Sequence, residues 1–262
     1  MSFVVVPQWQ GSPSSRAMRL AEGAEQIRGD LPVSSTQLVD VPLESGDTQG
    51  TGIARFSSLQ LVRERMTLAL DAADAPAIVI GGDCAVSAAA VAHVAGDDLA
   101  LVWFDAHPDL NTPSTSPSGA FAGMVLASLI DDGTVDAGRV VVAGAREWDA
   151  AEDEFAAEKG VAAVTVEQLA DAEAFAETVV ATGASRVYVH IDLDVIDPAE
   201  FLGLLEPIPF GVGTAQLVAA VKALVARLPL AGATIASFAP ESTASAVDDA
   251  PTILRLIAAL RG

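Results

Sequence analysis

The sequence of 262 residues has little cysteine, little positive charge and no long hydrophobic run. Cys84 is the only cysteine, which excludes an internal disulfide and is typical of proteins in a reducing compartment. Fourteen Lys and Arg stand against 35 Asp and Glu, and this net charge of −21 excludes the basic patch that nucleic acids require. No apolar run approaches the roughly 20 residues of a membrane span, and the N-terminal segment lacks the pattern of a signal peptide. We therefore expect a cytoplasmic protein that binds neither nucleic acid nor membrane.

What the sequence does contain is apolar residues, which make up 51% of the chain. This fraction excludes an acidic disordered tail, because burial of so many apolar side chains can offset the conformational entropy of folding. The negative field favours metal ions and small cationic molecules as ligands. Gly81-Gly82 lacks the further glycines or the lysine of a phosphate-binding loop, which is evidence against a nucleotide site.

Short β-rich runs alternate with helical patterns along the chain. Runs such as AIVI, LALVWF and RVYVHI are apolar almost throughout, as in parallel strands that are covered on both faces. The alternation predicts one three-layer α/β/α domain over residues 1–262 with a mostly parallel sheet. The predicted strands are Phe3–Val6, Thr36–Val41, Ala77–Ile80, Leu99–Phe104, Arg139–Ala143, Val161–Val164, Arg186–Asp192 and Ala231–Ser237. The predicted helices are 55–73, 85–95, 119–130, 149–159, 171–182, 214–227 and 247–261, the last with Pro251 in its first turn, which favours a start a few residues after 247.

Polar clusters follow three of the predicted strands. GGDC follows AIVI, DAHPDLN follows LALVWF, and IDLD ends the strand that begins with RVYVH. In open parallel sheets, ligands bind in the crevice beyond the carboxyl ends of the strands. Because alternate residues of extended backbone point the same way, the last two clusters direct several side chains toward one point. These side chains are Asp105, His107, Asp109, Asp192 and Asp194.

Four carboxylates and an imidazole at one point would repel one another unless a cation neutralised them. Such hard donors suit Mn²⁺, Mg²⁺ or Fe²⁺ better than a structural zinc site. With Cys84 the set has six members, too many for one ion with an open position. The pattern therefore predicts a pair of ions with a bridging hydroxide as nucleophile.

The three clusters resemble the motifs of the ureohydrolase family, which includes arginase, agmatinase and formiminoglutamase. GGDC is similar to GGDH, DAHPDLN to DAHxDxN and HIDLDVIDP to SFDxDxxDP, in the family's order and over residues 77–197. The resemblance implies an arginase-like fold, a homo-oligomer (trimer or hexamer) and two Mn²⁺ per subunit. It also implies hydrolysis of the C–N bond of a linear guanidine or amidine, with a small cationic substrate.

The resemblance further implies a role for individual residues. The implied metal ligands are Cys84, Asp105, His107, Asp109, Asp192 and Asp194, with Asp105 and Asp192 as the bridging carboxylates. The implied substrate contacts are Asn111, Ser116, Ser118, Asp149, Glu152 and Ser237. Catalytic roles are expected for Asp109 and, as substitutes for residues that the family has and this chain lacks, for His190 and Glu241.

Three positions depart from the family pattern. Cys84 stands where the family has histidine, and it can bind metal as a thiolate or pack as a small apolar residue. Ala122 stands where the family often has a histidine that carries protons. Ser237 aligns near the glutamate that binds the guanidinium, so a strong charge-assisted hydrogen bond is lost. Glu241 follows four residues later, and His190 shares a strand face with Asp192 in either a proton-carrying or a purely structural role.

These departures leave two classes of function open. The first is a manganese-dependent hydrolase, and without the family's glutamate a substrate less basic than arginine, such as an N-hydroxyguanidine, fits better. The second is a catalytically impaired relative that binds a metal or a ligand without turnover. Buried carboxylates without a cation would be costly, which favours a metal in either case.

Overall fold

Eight parallel strands form one continuous sheet in the computed structural model, which describes residues 1–262. The strands are β1 (Ser2–Val6), β2 (Thr36–Leu38), β3 (Ala77–Gly81), β4 (Leu99–Phe104), β5 (Val140–Ala143), β6 (Ala162–Val164), β7 (Arg186–Asp192) and β8 (Leu230–Ala236). Their order in the sheet is β2-β1-β3-β8-β7-β4-β5-β6. All eight predicted strands are present, with ends shifted by three residues at most.

The apolar strands are buried on both faces, as their composition predicts. In β4, Ala100, Val102 and Phe104 belong to the hydrophobic core on one face of the sheet. Leu101 and Trp103 belong to the core on the other face. A strand that contributes to two cores cannot alternate between polar and apolar residues, which explains the continuous run LALVWF.

Eight helices cover the two faces. They are α1 (Met18–Gly29), α2 (Phe56–Asp71), α3 (Ser87–Val94), α4 (Val125–Asp131), α5 (Ala150–Lys159), α6 (Ala172–Val180), α7 (Thr214–Arg227) and α8 (Thr243–Ala259). Side chains of α1, α6, α7 and α8 pack into the first core, and side chains of α2, α3 and α4, with part of α5, pack into the second. This confirms the three-layer α/β/α class. None of the helices combines the length and the apolar character that crossing a membrane requires.

The structure corrects two helix predictions and adds one helix. Helix α1 was not predicted, because Gly23 breaks its apolar pattern. A Cβ atom at this position would lie 1.9 Å from the backbone oxygen of Phe238, so the glycine allows the helix to pack closely against that segment. Helix α4 begins at Val125 instead of residue 119, after a loop with a left-handed Gly119. Helix α8 begins at Thr243, before the predicted start, because Ser242 and a residue three positions on form a capping box. Pro251 consequently lies inside this helix and not in its first turn.

The topology determines where the polar clusters meet. Strands β3, β8, β7 and β4 are consecutive in the sheet, although β3 and β4 are joined through α3 and β7 and β8 through α7. Because all strands are parallel, the segments after these four strands lie at one edge of the sheet. These segments carry the GGDC, DAHPDLN and IDLD clusters together with Ser237.

Candidate metal centre

A cavity of about 360 Å³ opens at the carboxyl ends of the four central strands. Nine of its 24 lining residues are Asp or Glu, and none is Lys or Arg. A concave surface of this kind focuses a negative potential, which attracts cations and repels anions. The cavity can therefore concentrate divalent metal ions and cationic small molecules.

The turn after β3 is held by backbone contacts that only glycine permits. A Cβ atom on Gly82 would lie 1.8 Å from the backbone oxygen of Gln8. Asp83 then accepts hydrogen bonds from the Gln8 side chain (2.9 Å) and from the backbone of Gly11 (2.8 Å). Burial raises the pKa of Asp83 to about 6, and these hydrogen bonds oppose that rise. Asp83 thus fixes the turn that presents Cys84 to the cavity.

Cys84 is buried, and its sulfur contacts the carboxylate of Asp192. Sγ donates a hydrogen bond to Asp192 Oδ2 at 2.8 Å and lies 3.6 Å from Ser237 Oγ. Burial and the neighbouring negative charges, above all that of Asp192, raise the pKa of the thiol well above its usual value. Cys84 consequently keeps its proton unless a cation enters the site. Its position among carboxylates favours the metal-binding interpretation over that of a small apolar residue.

The segment after β4 places an imidazole between two carboxylates. His107 Nδ1 lies 3.1 Å from Asp194 Oδ2 and 3.4 Å from Asp105 Oδ1, and its Nε2 lies 3.7 Å from Glu147 Oε2. Burial by itself would lower the pKa of His107, but the bonds to Asp105 and Asp194 outweigh it and raise the pKa above its usual value. Asp105 Oδ2 also accepts a hydrogen bond from the Trp103 indole at 3.2 Å.

Asp109 has two features that are rare in folded proteins. Its backbone is in the left-handed region, with a φ of 52°, which non-glycine residues seldom adopt. One of its carboxylate oxygens, Oδ2, is buried without a hydrogen-bond partner. Burial and the charge of Asp105 raise the pKa of Asp109 well above its usual value. Backbone strain and an unpartnered buried oxygen together are typical of a ligand-binding residue.

The end of β7 orders the remaining two aspartates in a tight turn. Asp192 Oδ1 accepts a hydrogen bond from the backbone of Asp194 at 2.8 Å, and Asp194 Oδ1 accepts one from the backbone of Ala106 at 3.0 Å. Both carboxylates are buried. Burial and the charge of Asp194 raise the pKa of Asp192, and burial and the charge of Asp105 raise the pKa of Asp194. The turn after the strand, and not extended backbone alone, therefore brings these two side chains to the same site.

Ser237 joins the end of β8 to the same cluster. Its hydroxyl donates a hydrogen bond to Asp192 Oδ2, and its backbone N–H donates to Gly82 O at 2.7 Å. The residue is left-handed, with a φ of 68°, like Asp109 on the other side of the cavity. Because its one hydroxyl hydrogen is used on Asp192, Ser237 can offer an incoming ligand only a lone pair.

All six expected metal ligands line this one cavity. Two groups of three have ligand atoms within 4.8 Å of one another. They are Asp105, His107 and Asp194, and Cys84, Asp105 and His190. Asp105 is common to both groups, which is the arrangement that a bridging carboxylate requires. Asp109 and Asp192 line the same cavity, and Asp192 accepts a hydrogen bond from Cys84. The surface that these six side chains form is called the floor of the cavity.

The expected substrate contacts lie around the mouth of the cavity. Those at the mouth are Asn111, Ser116, Ser118 and Asp149, with Ser237 deeper inside. Glu152 is buried, and its two carboxylate oxygens accept hydrogen bonds from the backbone of Leu110 and of Asp149. Asp149 and Glu152 also form the capping box of α5, so their spacing has a structural cause that the sequence interpretation missed. The hydrogen bond from Asn111 Nδ2 to Asp149 Oδ2 (2.9 Å) lowers the pKa of Asp149, while burial raises that of Glu152.

The structure does not bring the two substitute catalytic residues to the cavity surface. His190 is fully buried beneath the floor, stacked on Trp103, and burial lowers its pKa well below the usual value. A proton-carrying contact with substrate is therefore not available to it. Glu241 is exposed in the loop between β8 and α8 and does not line the cavity, because the chain after Ser237 turns away from it.

Two acidic residues of the cavity escaped the sequence interpretation. Glu147 and Glu206 both line the mouth, and Glu147 faces His107. Glu147 could have been identified from the sequence, because it lies two residues before Asp149 in the same loop. Glu206 lies in a loop far along the chain, and only the fold brings it here. Ala122 also lines the cavity, where its methyl group can carry no proton.

Comparisons with known proteins identify the family of the chain. The family model described as "Arginase family" matches residues 12–260. The arginase of Bacillus caldovelox is 28% identical over 219 residues, which are 75% of this chain and 71% of that protein. The Entamoeba histolytica arginase solved in complex with L-ornithine matches with a TM-score of 0.86 at 21% identity, covering 100% of this chain and 98% of that one. Formimidoylglutamase of Bacillus subtilis subsp. subtilis str. 168 matches with a TM-score of 0.80 at 20% identity, covering 99% and 86%.

The two structural matches establish a common fold, and the family match spans almost the whole chain. The motifs at the ends of β3, β4 and β7 are the ones that line the cavity. The chain is therefore an arginase-family hydrolase, a member of the ureohydrolases.

Proposed function

We propose that this hydrolase holds two manganese ions and cleaves a C–N bond of a small cationic guanidine or amidine. The observation that carries the proposal is the convergence of four buried aspartates and one buried thiol on the floor of a single cavity. Within the cavity only His107 can carry a positive charge opposite them, because no Lys or Arg lines it. Two divalent ions would bring four positive charges against the four carboxylates.

The donor set supports manganese. Five of the six proposed ligands are carboxylates or an imidazole, and oxygen-rich sets of this kind suit Mn²⁺. Asp105, His107 and Asp194 would hold one ion, and Asp105 with Cys84 and Asp192 would hold the other. Asp109 would contribute its unpartnered oxygen. When bound, such a pair supplies Lewis acidity and lowers the pKa of water enough to give a nucleophile at neutral pH.

The chain's own residues orient the ligands. His107 turns Nδ1 toward Asp105 and Asp194 and Nε2 toward Glu147. With a metal bound between Asp105 and Asp194, the imidazole would give its Nδ1 lone pair to the ion and would then carry its proton on Nε2, on the side of Glu147. Asp83 and the hydrogen bond at Asp192 similarly fix the direction of Cys84.

The acidic mouth supports a cationic substrate. Asp149, whose pKa is lowered, stays ionised at neutral pH beside Glu147 and Glu206. These carboxylates can bind an ammonium or guanidinium group, while Ser116 and Ser118 can hydrogen-bond a polar substrate end. Ser237 offers no charge to the group that reacts, so orientation at the floor depends on the metal ligands and on shape.

The proposal is tested by metal content and turnover together. The purified chain loaded with Mn²⁺ is expected to contain two ions per chain by elemental analysis, and to release urea or a related product from at least one compound of a guanidino and amidino panel. Asp105→Asn and Asp192→Asn should lose both properties. Exposed Asp97→Asn, outside the cavity, is the matched control. Fewer than one ion per wild-type chain would contradict the proposal.

A second candidate function is metal or ligand binding without turnover. It is favoured by Ala122, which leaves the cavity wall without a proton carrier, and by Ser237, whose hydroxyl hydrogen is directed to Asp192. The same experiment separates the two candidates. A full pair of ions with no product from the whole panel would support the second candidate over hydrolysis.

A further inference from the structure

His190 is held rigidly beneath the floor of the cavity. It lies on β7 in register with Trp103 of β4 and with Thr234 of β8, so the three side chains share one face of the sheet. The imidazole stacks on the Trp103 indole, with 3.5 Å between the ring centroids and 12° between the planes. The side chain is fully buried. Its ring nitrogens therefore have fixed directions.

The hydrogen-bond network determines which ring nitrogen carries the proton. Ser87 Oγ donates its only hydrogen to Thr234 Oγ1 at 3.0 Å, and Thr234 Oγ1 lies 2.6 Å from Tyr188 OH. Ser87 Oγ can then only accept from His190 Nδ1, which lies 2.8 Å away. In a neutral imidazole with the proton on Nδ1, Nε2 presents a lone pair.

That lone pair points toward the site without a partner. Nε2 of His190 is buried and makes no hydrogen bond. It lies 4.0 Å from Asp105 Oδ2, and the ligand atoms of Cys84, Asp105 and His190 all lie within 4.8 Å of one another. With the proton on Nδ1, Nε2 and an ionised Oδ2 are both acceptors and cannot form a hydrogen bond with each other. A cation would satisfy both.

We propose that His190 Nε2 is a ligand of the metal ion that Cys84 and Asp105 hold, an assignment that rests on the binuclear centre proposed above. The imidazole enters from below the floor, which leaves the open side of the cavity free for substrate. It also makes the two ion positions different. The position with a thiolate and an imidazole is softer than the one with Asp105, His107 and Asp194.

Cobalt(II) is the probe that tests this assignment, because a histidine bound to Co²⁺ gives a strongly shifted, exchangeable N–H proton signal. Because the chain has only three histidines, the number of shifted signals shows how many of them bind the metal. The full chain loaded with Co²⁺ is expected to show two such signals, one from His107 and one from Nδ1–H of His190. His107→Asn should remove the first and His190→Asn the second. His93→Asn, at an exposed position of α3, should remove neither.

Metal affinity gives an independent readout. Asparagine at position 190 keeps an amide donor near Ser87 but has no Nε2, so His190→Asn should weaken binding of one of the two ions. We expect at least a tenfold rise in that dissociation constant, since even groups that only orient a ligand are worth about 10–100-fold. The other ion and the His93→Asn control should be unchanged.

The outcomes separate this assignment from the proposed function. Two bound ions with a single shifted signal in the wild-type chain, lost in His107→Asn, would overturn the role of His190 and leave the binuclear centre intact. A chain that binds no Co²⁺ or Mn²⁺ would overturn both. The wild-type count and His107→Asn decide the matter even when His190→Asn does not fold, which circular dichroism reports.

Discussion

Replacing Asp109 by asparagine should stabilise the metal-free chain and damage the metal centre. Asp109 Oδ2 is buried without a hydrogen-bond partner, and its charge is opposed by that of Asp105. Asparagine has the same shape, tolerates the left-handed backbone at φ 52°, and presents N–H groups to the neighbouring carboxylates. The substitution therefore removes a repulsion and adds donors.

The magnitude follows from the cost of an unsatisfied buried polar group, which is about 1–3 kcal/mol. For a chain of this size, this corresponds to a rise in Tm of roughly 2–12 °C, at about 2–4 °C per kcal/mol. In excess Mn²⁺ we expect the opposite result, with the Tm of the wild-type chain above that of Asp109→Asn. The wild-type chain gains about 2.7 kcal/mol at a metal concentration of 100 times Kd, and a variant that binds less tightly gains less.

Thermal unfolding in EDTA and in Mn²⁺ measures both effects. Exposed Asp97→Asn is the control for loss of one negative charge, and we expect it to change Tm little in either buffer. A lower Tm of Asp109→Asn than of the wild-type chain in EDTA would refute the reasoning. It would mean that the carboxylate of Asp109 stabilises the fold and is not held there for a ligand.

Two further predictions concern the turn after β3 and the mouth of the cavity. Gly82→Ala should destabilise the chain by about 3 kcal/mol or more, because the new Cβ would lie 1.8 Å from the backbone oxygen of Gln8. Chemical denaturation measures this loss of stability, and an unchanged midpoint would contradict the packing argument. Asp149→Asn keeps the cap of α5 but removes a charge, so KM for a cationic substrate should rise about two- to fivefold at low salt and less at high salt. Asp153→Asn on the same helix is the control, and an equal change in KM in both variants would exclude a direct role for Asp149.

The central strands were predictable because they are buried on both faces. LALVWF and RVYVHI have no room for polar alternation, and they correspond to β4 and β7. Helix α1 was missed because its pattern contains Gly23, a residue that local propensity disfavours and that only the contact with Phe238 explains. The early start of α8 depends on the cap at Ser242, which outweighs the presence of Pro251.

The proposed metal ligands could be named from the sequence because their short-range spacing is visible there. Asp105, His107 and Asp109 lie in one segment, and parallel topology brings that segment to Asp192. The capping role of Asp149 was missed, although its spacing to Glu152 is visible in the sequence. The contacts of His190 and of Glu206 depend on the order of strands and loops in space, which the sequence does not state. Glu241 was misplaced for the same reason.

The most direct test of the account is anomalous diffraction at the manganese edge from crystals of the wild-type chain grown with Mn²⁺. Two peaks are expected on the cavity floor, one beside His107 and Asp194 and one beside Cys84 and His190, with Asp105 between them. A map with no peak there, or with side chains of Asp105 and Asp192 bonded only to protein and water at full Mn²⁺ concentration, would contradict the account.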